Sequence, residues 1–385
     1  MGKFNGWRRE VKAVLETVLG TTPASALKKI KAISGGMDSN ILTVPDGQIN
    51  TDGMDSDIIQ LSDDAGGSLG FNLRYGELDD IFKSALRSAW ATAVNISATD
   101  IAAQATGNWF SSTTTNCVLN NMTIGQIVLS AGFTAAANNG LAEITALAAR
   151  KITVAGLTLT TEVAGDTVTI KGKCLKNGNS VYGLTIEEEF LDITRFHQFT
   201  GSVIDKLSIN LKSQAKAEVT ATFRSFKGTE AGATCGTGAE VSAATTIPMN
   251  CNAQLTAYRL NGAALAVGIE EMTIDIDNKL IPDVPMTSAN PTGFALSPIS
   301  VSGKCRIYFE GSTEYAYYRN QTALKLAAIL KDASNQYIAI TVSRAKVNGC
   351  KIVAGNTARG MIEFTFTGTK NTTTNCAVQM DTFAA

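Results

Sequence analysis

The chain has one histidine in 385 residues, seven prolines and seven cysteines, and only 17% of its side chains are charged. A single histidine leaves little room for a histidine metal site or a Ser-His-Asp triad, so any catalysis would run on carboxylates, lysine or cysteine. Cys117, Cys174, Cys235, Cys251, Cys305, Cys350 and Cys376 are odd in number and widely spaced, with no C-x-x-C pair, which fits neither a zinc site nor a thioredoxin-like motif. They read as small buried hydrophobes. Neither sign of charge is in excess, with 33 Lys and Arg against 34 Asp and Glu, so there is no electrostatic footprint for nucleic acid or an anionic membrane. No run reaches the roughly 18 apolar residues that span a bilayer, and no signal-peptide core opens the chain. The expectation is a protein with no membrane partner, made and kept in a cytoplasm. Walker A and G-x-G-x-x-G patterns are both missing, and no cofactor or metal is expected.

What is present is Thr, Ala, Gly and Ser, 44% hydrophobic residues, and short segments in which apolar and polar side chains alternate. Alternation predicts a mainly β fold of half-buried strands. It is clearest at Glu218-Val219-Thr220-Ala221-Thr222-Phe223 and at Ile362-Glu363-Phe364-Thr365-Phe366-Thr367, each with one buried and one wet face. One helix is expected over 77–90, where Leu78, Ile81, Phe82, Ala85, Leu86 and Ala89 recur at three and four with acids first and bases last. A weaker helix begins near Thr313. A strand at 324–330 and a turn at Asp332-Ala333-Ser334-Asn335 then lead into a strand at 337–342.

These two regions read as diverged copies of one unit, each a β-sandwich or β-barrel with a short packing helix. Residues 68–73 and the helix after them match 304–309 and the helix at Thr313, and 218–223 match 361–366. The first unit is expected over 1–117 and 179–230, interrupted by a small β-barrel module at 118–178. The second is expected over 247–385. Between them, 228–246 is almost wholly Gly, Ala, Thr, Ser and Glu and reads as a linker or mobile loop.

Three motifs suggest chemistry and each has a plainer reading. Gly66-Gly67-Ser68-Leu69-Gly70 has the spacing of a hydrolase nucleophile elbow, but there Ser precedes a strand instead of following one, and the one histidine, His197, has no reason to approach. Asp52, Asp55 and Asp57 offer hard oxygens without the Gly and Glu of a calcium loop, and read as a solvated acidic loop. Glu187 and Glu189 share a strand face and are the one pair that carboxylate catalysis could use.

Several segments resemble the major tail tube proteins of long-tailed bacteriophages. Gly20-Thr21-Thr22-Pro23, Gly67-Ser68-Leu69-Gly70-Phe71-Asn72-Leu73 and Tyr75-Gly76-Glu77-Leu78-Asp79-Asp80-Ile81 are similar to that family's opening. Gly125-Gln126-Ile127-Val128, Ser130-Ala131-Gly132-Phe133, Asn138-Asn139-Gly140, Glu162-Val163-Ala164-Gly165 and Ile170-Lys171-Gly172 resemble its inserted module. Glu187-Glu188-Glu189-Phe190, Phe199-Thr200-Gly201, Ile276-Asp277-Asn278-Lys279-Leu280 and Ser302-Gly303-Lys304 continue the resemblance. It implies a structural, non-enzymatic virion protein with two tail-tube-type domains. Its rings, three-chain with pseudo-six-fold symmetry in preference to six-chain, stack into a tube assembled in the host cytoplasm. The implied partners are further copies of the chain, the tape measure protein, tail tip and terminator proteins, and double-stranded DNA in passage. Lumen-lining residues are expected at Glu218, Thr220, Thr222 and Arg224 and at Glu363, Thr365 and Thr367, and inter-ring contacts at Asp52, Met54, Asp55 and Asp57. A β-sandwich adhesin without catalytic activity is the alternative, and an enzyme using Glu187 or Glu189 the third reading.

Overall fold

Alternation of the kind just described leaves each strand amphipathic, and the chain buries the apolar faces by stacking sheets. The computed structural model describes residues 5–48, 51–52, 54–114, 121–252, 255–261, 263–264, 268–311, 313–355 and 358–384, so Cys117 lies outside the described residues. In chain order come β1 (Arg9–Leu15), β2 (Lys28–Ile30), β3 (Ala32–Pro45), β4 (Ile58–Asn72) and helix α1 (Asp79–Leu86). Next are β5 (Val94–Ala98), β6 (Ile101–Gln104), β7 (Trp109–Ser112), β8 (Ile127–Ala131), β9 (Gly140–Ala148), β10 (Lys151–Ala155) and β11 (Val168–Lys176). The first half closes with β12 (Leu184–Phe190), β13 (Arg195–Lys212), β14 (Glu218–Ser225) and β15 (Lys227–Ala231). The rest holds β16 (Leu255–Leu260), β17 (Ala263–Ala264), β18 (Ile269–Asp277), β19 (Ile281–Asp283), β20 (Gly293–Ala295), β21 (Ser300–Tyr308), α2 (Thr313–Arg319), β22 (Leu324–Lys331), β23 (Gln336–Gly355), β24 (Ala358–Gly368) and β25 (Val378–Ala384).

One antiparallel sheet runs through both halves in the order β3-β4-β14-β13-β18-β21-β24-β23. Its first four strands and its last four repeat one arrangement. Residues 65–72 of β4 face 225–218 of β14, and residues 301–308 of β21 face 368–361 of β24, so the two pairings share one register. The irregularities repeat as well. β3 and β18 each slip near their start, at Ala32/Ser34 and Ile269/Glu271, while β13 and β23 slip at Ile204/Lys206 and Val347/Gly349. At that last slip the long strand bends out of the inner sheet, as bulges allow. Its N-terminal half joins an outer sheet, β1-β12-β13-β15 in one half and β16-β22-β23-β25 in the other. Strand order and register thus correspond pair by pair between the two halves of this sheet.

Between inner and outer sheets lies one core, which includes Leu69, Phe71, Ile209, Phe223, Ile274, Ile340 and Phe366. Helix α1 closes it with Ile81, Phe82, Ala85 and Leu86. The helix stops at Leu86, earlier than its apolar spacing predicts, because Arg87 turns left-handed at φ 53°. The chain then follows β11, with Ala91 N–H donating to the Cys174 carbonyl at 2.8 Å and Gly178 N–H to the Leu86 carbonyl at 2.8 Å.

The inserted strands form the sheet β6-β7-β10-β9-β8-β11-β5 over a second core that includes Ile96, Phe110, Ile144, Ile152 and Ile170, and residues 173–176 of β11 run on to pair with β25 of the second half. Among the described residues β5 and β6 do not pair, so the expected barrel is an open curled sheet. It also takes in residues from Val94 on, upstream of the boundary expected at 118, because β5 pairs with β11 and β7 with β10. Ile127, Leu129 and Leu141 of this sheet pack on Ile329, Tyr337 and Phe383 of the second half.

The segment 228–246 corrects the linker expectation. Its first residues are β15, paired with β13. Beyond them, Gln198 Nε2 donates to the Ala233 carbonyl at 2.7 Å, Thr237 N–H to the Ser25 carbonyl at 3.0 Å and Val241 N–H to the Leu27 carbonyl at 2.9 Å. Backbone groups hold it down, so its small-residue composition gives no sign of the attachment.

Candidate functional site

Along β14, Glu218, Thr220, Thr222 and Arg224 alternate with buried Val219, Ala221 and Phe223, and along β24, Glu363, Thr365 and Thr367 flank buried Phe366. The inner sheet brings both sets onto one face. A single cross-strand row reads Gly70, Thr220, Ser208, Asp275, Ser302, Thr367, Lys346 from β4 to β23. The sheet is thus apolar toward the core and polar over the whole opposite face.

Charges of both signs are interleaved on that face, and four of its cations are paired. Lys304 Nζ lies 3.1 Å from Glu271, Arg306 Nε 3.2 Å from Glu270, Lys206 Nζ 3.8 Å from Asp277 and Arg224 Nε 3.4 Å from Asp205. Ser208 Oγ donates to Asp275 at 2.6 Å. On the second half, Thr365 Oγ1 donates to Asn348 Oδ1 at 2.7 Å and Asn348 Nδ2 to Thr367 Oγ1 at 2.8 Å. Exposed pairs of this kind add little stability, but they leave the face without a field of one sign.

A buried polar joint stitches the two halves where β13 meets β18. Asn278 is fully buried and its Nδ2 donates to the Ala85 carbonyl at 3.0 Å and the Ile204 carbonyl at 2.8 Å. The bulged Asp205 accepts from Leu280 N–H at 2.9 Å and from Arg224. Asn278 stands within a family-like motif of the sequence, but neither its role nor that of Asp205 is marked there. The polar rows of β13 and β18 were open to sequence, since Lys206, Ser208 and Asn210, and Glu271, Thr273 and Asp275, carry the same alternation as β14 and β24.

The expected inter-ring residues Asp52, Met54, Asp55 and Asp57 are exposed at the tip of the β3–β4 hairpin. Asp52 Oδ1 accepts from Met54 N–H at 3.2 Å and Asp57 Oδ1 from Ile58 N–H at 2.7 Å, so these carboxylates stiffen the turn. The hairpin stem exposes Ile41, Leu42, Val44, Ile58, Ile59 and Leu61. Its counterpart in the second half, β19–β20, folds back instead, burying Leu280 and Phe294 against Val203 and Phe226.

The catalytic motifs resolve as structure. Ser68 lies inside β4, opposite Thr222. Glu187 and Glu189 clamp the buried Lys12 together with Glu240, and Glu187 also accepts from Thr234 Oγ1 at 2.8 Å and Cys235 N–H at 2.7 Å. Burial works to lower the Lys12 pKa, but its hydrogen bonds to Glu189 and Glu240 outweigh it and hold the ammonium above its ordinary value. A carboxylate pair locked on a lysine is a clamp between the N-terminal strand and segment 228–246. No helix among the described residues is long and apolar enough to cross a membrane.

The fold is thus an eight-stranded antiparallel sheet with one dry and one wet face, whose two four-stranded halves correspond in strand order and register. The chain belongs to the phage tail tube protein family, whose family model matches residues 6–369, and it is accordingly a non-enzymatic component of the virion tail that self-assembles into a tube. A search of curated proteins finds no match.

Proposed function

We propose that this is the major tube protein of a long, siphovirus-type tail, and that its copies close into rings whose stack forms the conduit for the tape measure protein and then double-stranded DNA. The observation that carries the reading is the polar face of the eight-stranded inner sheet, repeated in strand order and register across two tube-type units. The units are proposed to take in β1–β4, α1 and β12–β15, and then β16–β25 with α2, with the curled sheet of β5–β11 as an outward module. Two units per chain favour three-chain rings over six-chain rings. Glu218, Thr220, Thr222, Arg224, Glu363, Thr365 and Thr367 then line the lumen. Because Arg224, Lys206, Lys304 and Arg306 there are already paired with carboxylates, passing phosphates find fewer free charges on which counterion release could hold them. The exposed β3–β4 hairpin, tipped by Asp52, Met54, Asp55 and Asp57, reaches the adjacent ring, and tip and terminator proteins meet the ends of a tube assembled in the host cytoplasm.

Negative-stain electron microscopy of the concentrated recombinant protein, with mass photometry of the same sample, tests this. Hollow stacked tubes and three-chain rings are the expected result. Six-chain rings would keep the tube and remove the ring stoichiometry, and a compact oligomer without a channel would overturn the reading.

A further inference from the structure

The inner sheet has two open edges, and the molecule already contains the joint that would close them. Between the halves, β13 adds to β18 with Ser208 opposite Asp275 and Ile209 opposite Ile274. At the far end of the sheet, residues 346–353 of β23, the counterpart of β13, pair on one side only, with β24, among the described residues. Ile352 is 49% exposed there, whereas its counterpart Ile209 is fully buried. At the near end β3, the counterpart of β18, pairs among the described residues with β4 alone.

The edge of β3 is occupied by side chains in place of a strand. Glu188 Oε1 accepts from Met37 N–H at 2.9 Å, and Arg9 Nη2 donates to the Gly35 carbonyl at 2.6 Å. In the second half the residue corresponding to Glu188 is Ala328, and there β13 covers the edge. The guard therefore stands only where a strand is missing, which is how natural proteins blunt a free edge.

Resting on the ring reading above, we propose that the ring joint repeats the internal joint. The edge of β23 in one copy adds antiparallel to β3 of the next, with Lys351 opposite Asp38, Ile352 opposite Met37 and Cys350 opposite Ser39. Met37 N–H then passes from Glu188 to the incoming strand. The register follows from carrying the β13–β18 pairing through the shared offsets of the two halves. Lys351 and Asp38 are both exposed, have no ion-pair partner among the described residues, and take the places of Ser208 and Asp275, which are hydrogen bonded in the internal joint.

A single substitution reads the register, because Cys350 is a native free thiol. Ser39→Cys under a mild oxidant should give chains cross-linked in closed rings on a non-reducing gel, lost again with Cys350→Ser, while Met37→Cys and Ile41→Cys should not link to Cys350. A cross-link from either of those variants would overturn the register while leaving the edges in contact. Tubes that form without any cross-link would overturn the joint but not the tube. The surface charges give a readout that does not depend on packing. Lys351→Glu or Asp38→Lys should raise the concentration needed for ring formation by about fivefold per joint, and the swapped pair Lys351→Asp with Asp38→Lys should restore it. Singles without effect, or a double variant no better than the singles, would sink the pairing.

Discussion

At the residue scale two buried polar groups control stability. Asn278 donates to carbonyls from α1 and from β13 at the point where one half is joined to the other. Asn278→Ala leaves both carbonyls dry and unpaired, and should destabilise the chain by about 1–3 kcal/mol in denaturant titration. Asp381 on β25 is wholly buried, with Gln379 Nε2 donating to it at 2.7 Å, the Cys174 thiol and the Ile127 N–H beside it and Lys325 the cation that acts on it from further off. Burial pushes its carboxyl up to about 7 from the ordinary 3.8. An unfolded chain releases this proton near the ordinary value, so the group's contribution is full below about pH 4 and is lost as pH rises through about 7. The loss is on the order of 4 kcal/mol by pH 8. Asp381→Asn should therefore flatten the fall in melting temperature across this range and raise the melting temperature at pH 8; an unchanged pH profile would show that Asp381 does not carry it.

At the scale of the element, the two equivalent hairpins pack differently, which on the proposed reading separates ring formation from stacking. The β19–β20 hairpin buries Leu280 and Phe294 within the chain, whereas β3–β4 keeps Ile41, Leu42, Ile59 and Leu61 in solvent. Leu42→Glu with Ile59→Glu, both exposed, should leave monomer stability and rings intact and stop elongation, measured as the loss of pelletable tubes with rings retained in micrographs. Tubes of normal length would remove the hairpin from the inter-ring contact. The elements also show what a sequence can reveal. β14 and β24 were legible because both faces of each strand are used simply, one wet and one dry. β13 was not, since its 18 residues serve two sheets and the alternation changes sense at the Asp205 bulge. Segment 228–246 was misread because main-chain hydrogen bonds, which leave no trace in composition, tie it down. The polar residues of β14 and β24 were legible as a face, but the joint at Asn278 was not, because a buried amide at a strand end looks like any turn asparagine.

For the whole molecule, the paired charges of the inner face predict how the conduit tolerates change. Replacing Thr365 and Thr367 by Lys adds unpaired cations to the row shared with Ser302 and Lys304. Tubes should still assemble, while DNA ejection slows and becomes more sensitive to salt; ejection kinetics that do not change would remove these positions from the lumen. In the proposed three-chain ring every second contact, β13 with β18, is made during folding, at an effective concentration fixed by the intervening backbone and not by the cell's supply of protein. Closure of such a ring needs three bodies to meet where separate halves would need six, so dilution would delay the first ring far less than it would for separate halves.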